Sequence, residues 1–259
     1  NIDYQVNDES YQGYFVSTAQ NVPLILLIHD WDGLTDYEIK RANMLAEEGY
    51  AVFAADLFGK GVRPTEDKDK KQHTGELYQD RQKMRQLIKG ALDKAAELGA
   101  NRQQTVVIGY CFGGAAALEM ARAGEDLQGV VSFHGGLKTP PGQDYADSST
   151  EILILHGAAD KAISMQEFAE LSNQLEAFNV PNEMIAYGGA DHAFGYQSRL
   201  GRAELHPFAA SQDRGDPQAH RCAGQAHPSG SGWRCECRNR AALRRCRSRC
   251  AGCRIGDLQ

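Results

Sequence analysis

Residues 105–114, TVVIGYCFGG, leave the chain few ways to fold. β-Branched and apolar residues closed by glycine read as a buried strand, and the AAALEMARAG that follows has the composition of a helix ending at Gly124. Strand, tight turn and helix are therefore joined without a spacer. The spacing Gly109-x-Cys111-x-Gly113 is that of a nucleophile elbow, where glycines relieve crowding around a side chain held on a strained turn above a sheet. Here that side chain is a thiol, and the helix dipole behind it is expected to favour the thiolate. A lone cysteine after a strand is also commonly a small core residue, and glycine-rich turns of this kind also hold phosphates. The elbow needs partners elsewhere in the chain to carry chemistry.

Around it, strand-like and helix-like segments alternate. Residues 13–17 read as a short opening strand and 22–29 as an apolar strand buried on both faces. Thr35 and Glu38 form a capping box, opening a helix with Ile39, Ala42, Leu45 and Ala46 on its apolar side and a stop at Gly49. A strand follows at 50–56. Residues 59–75, with RPTEDKDKKQ at their centre, read as a solvated loop. Met84, Leu87, Ile88, Ala91, Leu92 and Ala95 then mark one face of a long helix, with strands at 128–134 and 151–156 beyond the elbow. Ser164 and Glu167 make a second capping box for a helix that turns Phe168, Leu171, Leu175 and Phe178 inward, and 182–187 is the last strand. This order predicts an α/β fold, a mostly parallel, doubly wound sheet with helices on both faces. Sites in such sheets lie beyond the carboxyl ends of the strands.

Three polar residues fall at those ends in one chain order: Cys111, Asp160 and His192. In that set the imidazole takes the thiol proton and the carboxylate fixes its tautomer, so that the sulfur attacks a carbonyl and an acyl thioester forms. Asp191 is a second candidate partner for His192. His29, His134 and His156 also end strands, where hydrogen bonds to backbone would account for them, and His73 lies in the charged loop.

Charge is distributed unevenly. Residues 1–200 carry 17 Lys and Arg against 29 Asp and Glu, a net of −12, whereas 201–259 carry 11 Arg and 5 acids, a net of +6. An acidic body without a basic stripe argues against nucleic acid as partner. The longest apolar run, 22–28, is strand-sized, so no membrane span is expected. The chain is read as soluble, in the cytoplasm by preference, and as periplasmic or secreted if a leader preceded Asn1. Expected partners are a small-molecule ester or lactone and, at most, a second copy in a weak homodimer.

GYCFGG, HGAAD, GGADHAFG and HDWDGLTDYEIKRANMLAEEGYAVFAADLFG together resemble the dienelactone hydrolase family of α/β-hydrolases, over about residues 10–197. The resemblance implies Cys111, Asp160 and His192 as catalytic triad, with the backbone amides of Trp31 and Phe112 as oxyanion hole and no metal or organic cofactor. It also implies a carboxylate that gates the thiol; members usually have glutamate there, and this chain has Asp30. Members acting on dienelactone itself hold the substrate carboxylate with arginines. Where one of these falls stands Tyr196, and the other is Arg81 or Arg85. Trp31, Phe112, Phe194 and Tyr196 would line the substrate pocket, although Trp31, Phe112 and Phe194 are equally placed to be core. A broad esterase or lactonase is therefore expected, with dienelactone hydrolysis proper, or a non-catalytic ligand-binding relative, as alternatives.

Residues 201–259 depart from the pattern. They contain arginine without lysine, six cysteines between Cys222 and Cys253, and no helical or strand period. The cysteine spacing matches no paired CxxC metal site. This tail is read as out of frame or disordered, leaving a single domain at 1–200 without its last amphipathic helix and with apolar surface exposed.

Overall fold

The computed structural model describes residues 1–193. Its strands are β1 (Ile2–Val6), β2 (Glu9–Val16), β3 (Pro23–Ile28), β4 (Ala51–Ala55), β5 (Asn101–Tyr110), β6 (Gly129–Phe133), β7 (Glu151–Gly157) and β8 (Asn182–Tyr187). They form one sheet in the order β1-β2-β4-β3-β5-β6-β7-β8. β1 pairs antiparallel with β2, and β2 with β4; every later pairing is parallel. The hairpin strand β1 was absent from the sequence reading because IDYQV alternates weakly and buries only Tyr4.

The helices are α1 (Asp36–Glu47), α2 (Asp67–Gln79), α3 (Arg81–Glu97), α4 (Phe112–Arg122) and α5 (Met165–Ala177). Both capping boxes form: Thr35 and Glu38 open α1, and Ser164 and Glu167 open α5. Leu24, Leu26, Ile28, Phe53, Val107 and Ile152 share a core with Met84, Leu87 and Ile88 of α3, Ala116 and Met120 of α4, and Leu171 and Leu175 of α5. Strand side chains alternate, so Ile25, Leu27, Val52 and Ala54 face the other way; they too are buried.

One expectation changes. Residues 67–79 are a helix, not a solvated loop. Lysine, glutamate and glutamine are good helix formers, and Lys70, His73, Thr74, Leu77 and Tyr78 recur at three- and four-residue spacing on a narrow inward face. The surrounding charges hid that face. The tail and the boundary near residue 200 lie outside the described residues.

Candidate active site

β5 delivers Cys111 to the N-cap of α4 with φ at +51°, a conformation that non-glycine residues rarely adopt. Two glycines make the turn possible. A Cβ on Gly109 would enter the carbonyl of Gly113, and one on Gly113 would enter the carbonyls of Ile28 and His29 at the end of β3. The elbow is therefore packed directly onto the neighbouring strand end. The Cys111 amide donates to the Phe133 carbonyl of β6 at 3.0 Å, which fixes its height above the sheet.

Asp160 follows β7. One carboxylate oxygen accepts the amides of Ala162 and Ile163 at 2.8 and 3.0 Å, and the other lies 2.7 Å from Nδ1 of His192. Burial works to raise the Asp160 pKa, but the bond from His192 and the two amides outweigh it and hold the carboxyl below its ordinary range. His192 follows β8, and its Nε2 lies 3.3 Å from the Cys111 sulfur. The carboxylate accepts at Nδ1, so the proton of a neutral ring is placed there and Nε2 faces the thiol as acceptor. Asp191 is not in that line; its carboxylate accepts the backbone N–H of His192 at 2.8 Å.

The expectation of a thiolate at rest is reversed. Burial and then the neighbouring Asp30 carboxylate push the Cys111 thiol up to about 11, with Asp160 and Asp32 adding to the rise; a hydrogen bond from the Phe112 amide opposes them without prevailing. The helix terminus is outweighed by desolvation and negative charge. The arrangement can move the thiol proton to His192 only as bond formation at sulfur begins.

Asp30, two residues past β3, is almost fully buried. His29 fixes its main chain: the Leu57 amide donates to Nε2 at 3.1 Å, so Nδ1–H donates to the Asp30 carbonyl at 2.6 Å. Three further ionisable groups act around Asp30, to none of which the sequence assigns a part in the site. Asp32 donates its backbone N–H to the Asp30 carboxylate at 3.0 Å, and burial together with a side-chain hydrogen bond to Asp30 pushes its own carboxyl up to about 7. Glu38, wholly buried at the start of α1, is also pushed up to about 7, chiefly by burial. Burial, and then His192, push His134 down to about 4; its ring meets the His192 ring edge-on at 4.9 Å.

The Phe112 ring is 1% exposed and packs against Phe58, Tyr78 and His29 at centroid distances of 5.5–6.0 Å, so it is core beneath the elbow, not an exposed rim. Trp31 is partly buried, with the Lys70 ammonium 5.0 Å from its ring centroid. Phe194 and Tyr196 lie outside the described residues. Arg81 stands over the Tyr78 ring at 4.7 Å, and Arg85 binds Glu119 on α4. Glu119 also accepts from Arg81 and Arg122, and one carboxylate thus joins α3 to α4. Among the described residues no cluster of His, Cys, Asp and Glu could hold a metal ion, and no helix is long and apolar enough to cross a membrane.

With the cysteine turn between β5 and α4, and the acid and histidine arriving after β7 and β8 in that chain order, the fold is an α/β hydrolase. The esterase Est1E from Butyrivibrio proteoclasticus shares it at a TM-score of 0.61 and 15% identity, covering 82% of this chain and 98% of that one. The chain belongs to the dienelactone hydrolase family, whose model matches residues 11–214, and it is a hydrolase of that family. A carboxymethylenebutenolidase of Rhodococcus opacus is 29% identical over 182 residues, 66% of this chain and 69% of the relative. A dienelactone hydrolase-like promiscuous phosphotriesterase from metagenomic libraries superimposes with a TM-score of 0.72 and 26% identity, over 82% of this chain and 95% of that one.

Proposed function

We propose that the protein hydrolyses small carboxylic esters or lactones through Cys111, His192 and Asp160. The observation that carries this reading is the single imidazole bridging a buried carboxylate at 2.7 Å and a thiol at 3.3 Å. Nε2 of His192 takes the thiol proton as sulfur bonds to the substrate carbonyl carbon, and Asp160 stabilises the imidazolium. The oxyanion that forms is assigned to the amides of Phe112 and Trp31. The Phe112 amide acts to lower the thiol pKa against burial and Asp30, which is consistent with that role. Collapse breaks the ester C–O bond, and the leaving oxygen receives the proton held by His192. Water, deprotonated by the same nitrogen, then cleaves the thioester and restores the thiol.

Asp30, whose charge acts on the thiol, is assigned the gating of that thiol. Its negative charge disfavours a free thiolate, so the nucleophile is unmasked only when substrate alters the surroundings of this carboxylate. Dienelactone hydrolysis is a second reading, favoured by one observation: Arg81 stacks on Tyr78, which packs on Phe112 next to the elbow. A panel of short aryl esters, an uncharged lactone, a lactone bearing a carboxylate and an aryl phosphotriester tests both readings. Activity on the esters and uncharged lactone that disappears in Cys111→Ala supports the first. Preference for the carboxylate-bearing lactone that is lost in Arg81→Ala would favour the second. Turnover undiminished in Cys111→Ala would sink the thiol mechanism.

A further inference from the structure

Two residues at the end of β6 bear on the site. The Phe133 carbonyl accepts the Cys111 amide at 3.0 Å, and the next residue, His134, donates its own amide to the Leu155 carbonyl of β7 at 2.8 Å. His134 takes a φ of +41°, a conformation that favours glycine and strains a residue bearing a β-carbon. Gly135 follows, and a Cβ there would enter the main chain of Gly114 and Ala115, so this turn is packed against the start of α4. A glycine at 134 would relieve the backbone, yet the chain places there a histidine only 1% exposed. What its ring meets accounts for the choice. It lies edge-on to the His192 ring, with centroids 4.9 Å apart and planes at 66°, and near the Tyr110 ring at 6.1 Å. Burial, and then His192, hold the His134 pKa down to about 4, so at neutral pH it puts no second cation beside His192.

We propose that His134 is a positioning residue for His192: its ring, fixed by the strained turn after β6, holds the plane of the catalytic imidazole so that Nδ1 meets Asp160 and Nε2 meets Cys111 at once. His192 needs such a neighbour because it stands in the loop after β8 with 30% of its side chain exposed. Its hydrogen bonds to Asp160 and Cys111 leave from opposite sides of the ring, and they leave it free to tilt about the line that joins them. An edge-to-face contact removes that freedom. The inference rests on the reading of His192 as the base for the thiol, but its first readout uses no substrate.

The test is the long-range proton–nitrogen correlation spectrum of the His192 ring at about pH 8.5, where free imidazole is neutral. It is recorded without substrate and assigned by the signals lost in His192→Gln; kcat and KM on an aryl ester are the second readout. The unaltered protein should show one tautomer, with the proton on Nδ1. His134→Gly suits the positive φ and removes the ring, His134→Leu keeps apolar volume without a ring, and His134→Phe keeps a ring without its nitrogens. The glycine and leucine variants, folded by circular dichroism, should draw the two nitrogen signals of His192 toward each other. Their kcat should fall by about ten- to a hundredfold with KM unchanged. The phenylalanine variant should keep the single tautomer and most of kcat. A single tautomer with undiminished kcat in both ring-less variants overturns the proposal, and so does a phenylalanine variant that behaves like the glycine one. If the ring-less variants do not fold, the phenylalanine variant decides alone, since loss of the tautomer there overturns the proposal. The spectrum needs no turnover, so a protein inactive on every ester would refute the hydrolase reading and still answer this question.

Discussion

Replacing Glu38 by glutamine removes a carboxyl that the fold buries completely. One of its oxygens accepts the amide and hydroxyl of Thr35, both at 2.8 Å, and so closes the capping box of α1; the other has no hydrogen-bond partner. Burial, with a smaller push from Asp30, raises its pKa from an ordinary 4.5 to about 7, against the hydrogen bonds from Thr35. Between those two values the native state binds a proton that the unfolded chain has released, so this residue makes stability fall as pH rises. The cost is absent below about pH 4.5, complete above about pH 7, and amounts to about 3 kcal/mol at 1.36 kcal/mol per pH unit. Glutamine keeps the acceptor for Thr35 and leaves a buried amide N–H₂ where the unpartnered oxygen stood, a penalty of about 1–3 kcal/mol that does not change with pH. The variant should therefore melt below the unaltered protein at pH 5 and gain on it as pH rises to 8. The relative gain is roughly 6–12 °C for a domain of this size. Thermal unfolding by circular dichroism across that range measures it, and a difference in melting temperature that stays constant with pH would refute the electrostatic account of Glu38.

Gly113→Ala should yield no folded protein, since its Cβ enters the carbonyls of Ile28 and His29, which are main chain and cannot yield; solubility and near-ultraviolet circular dichroism report it. Glu119→Gln leaves Arg81, Arg85 and Arg122 facing one another without their shared anion and should cost about 3–5 kcal/mol, read as a lowered urea midpoint. Although burial pushes the Glu119 carboxyl up, Arg122 and Arg85 prevail and hold it low. Its stabilising contribution is thus present above the ordinary 4.5 and lost as pH falls through the lower native value, so the difference between Glu119→Gln and the unaltered protein should shrink in acid. Asp160→Asn removes the acceptor that fixes the His192 tautomer, and kcat on an aryl ester should fall by about 10³–10⁴-fold with KM little changed; a loss confined to KM would contradict the role given to Asp160.

Much of this molecule was legible in its sequence, for reasons that differ between elements. β3, β4 and β6 are nearly unbroken apolar runs because they are buried on both faces, and α1 and α5 announce themselves by capping boxes whose hydrogen bonds are local. Cys111, Asp160 and His192 were readable as strand-end residues because a parallel sheet brings its carboxyl ends together. What escaped the reading depends on contacts distant in sequence. α2 presents Lys70, His73, Leu77 and Tyr78 inward, but only the presence of Phe58, Trp31 and Phe112 opposite makes that face a face. The thiol's resistance to ionisation was misjudged because helix position is visible in the sequence, whereas the Asp30 and Asp32 charges and the depth of burial are properties of the assembled site. Asp32 carried only a DxD spacing as signal, and Glu38 was read as a cap without notice of how deeply it would be buried.

The central claim, that a thiol made reactive only as its proton passes to His192 carries the acyl group, is tested most directly by trapping the intermediate. The protein is mixed with an aryl butyrate, quenched in acid within the first turnovers, digested and examined by mass spectrometry. The account predicts a butyryl group on the Cys111 peptide that appears with the burst of phenol and decays as substrate is exhausted. Turnover of the ester with no acyl group on Cys111, or with the acyl group on another residue and activity undiminished in Cys111→Ala, would contradict it.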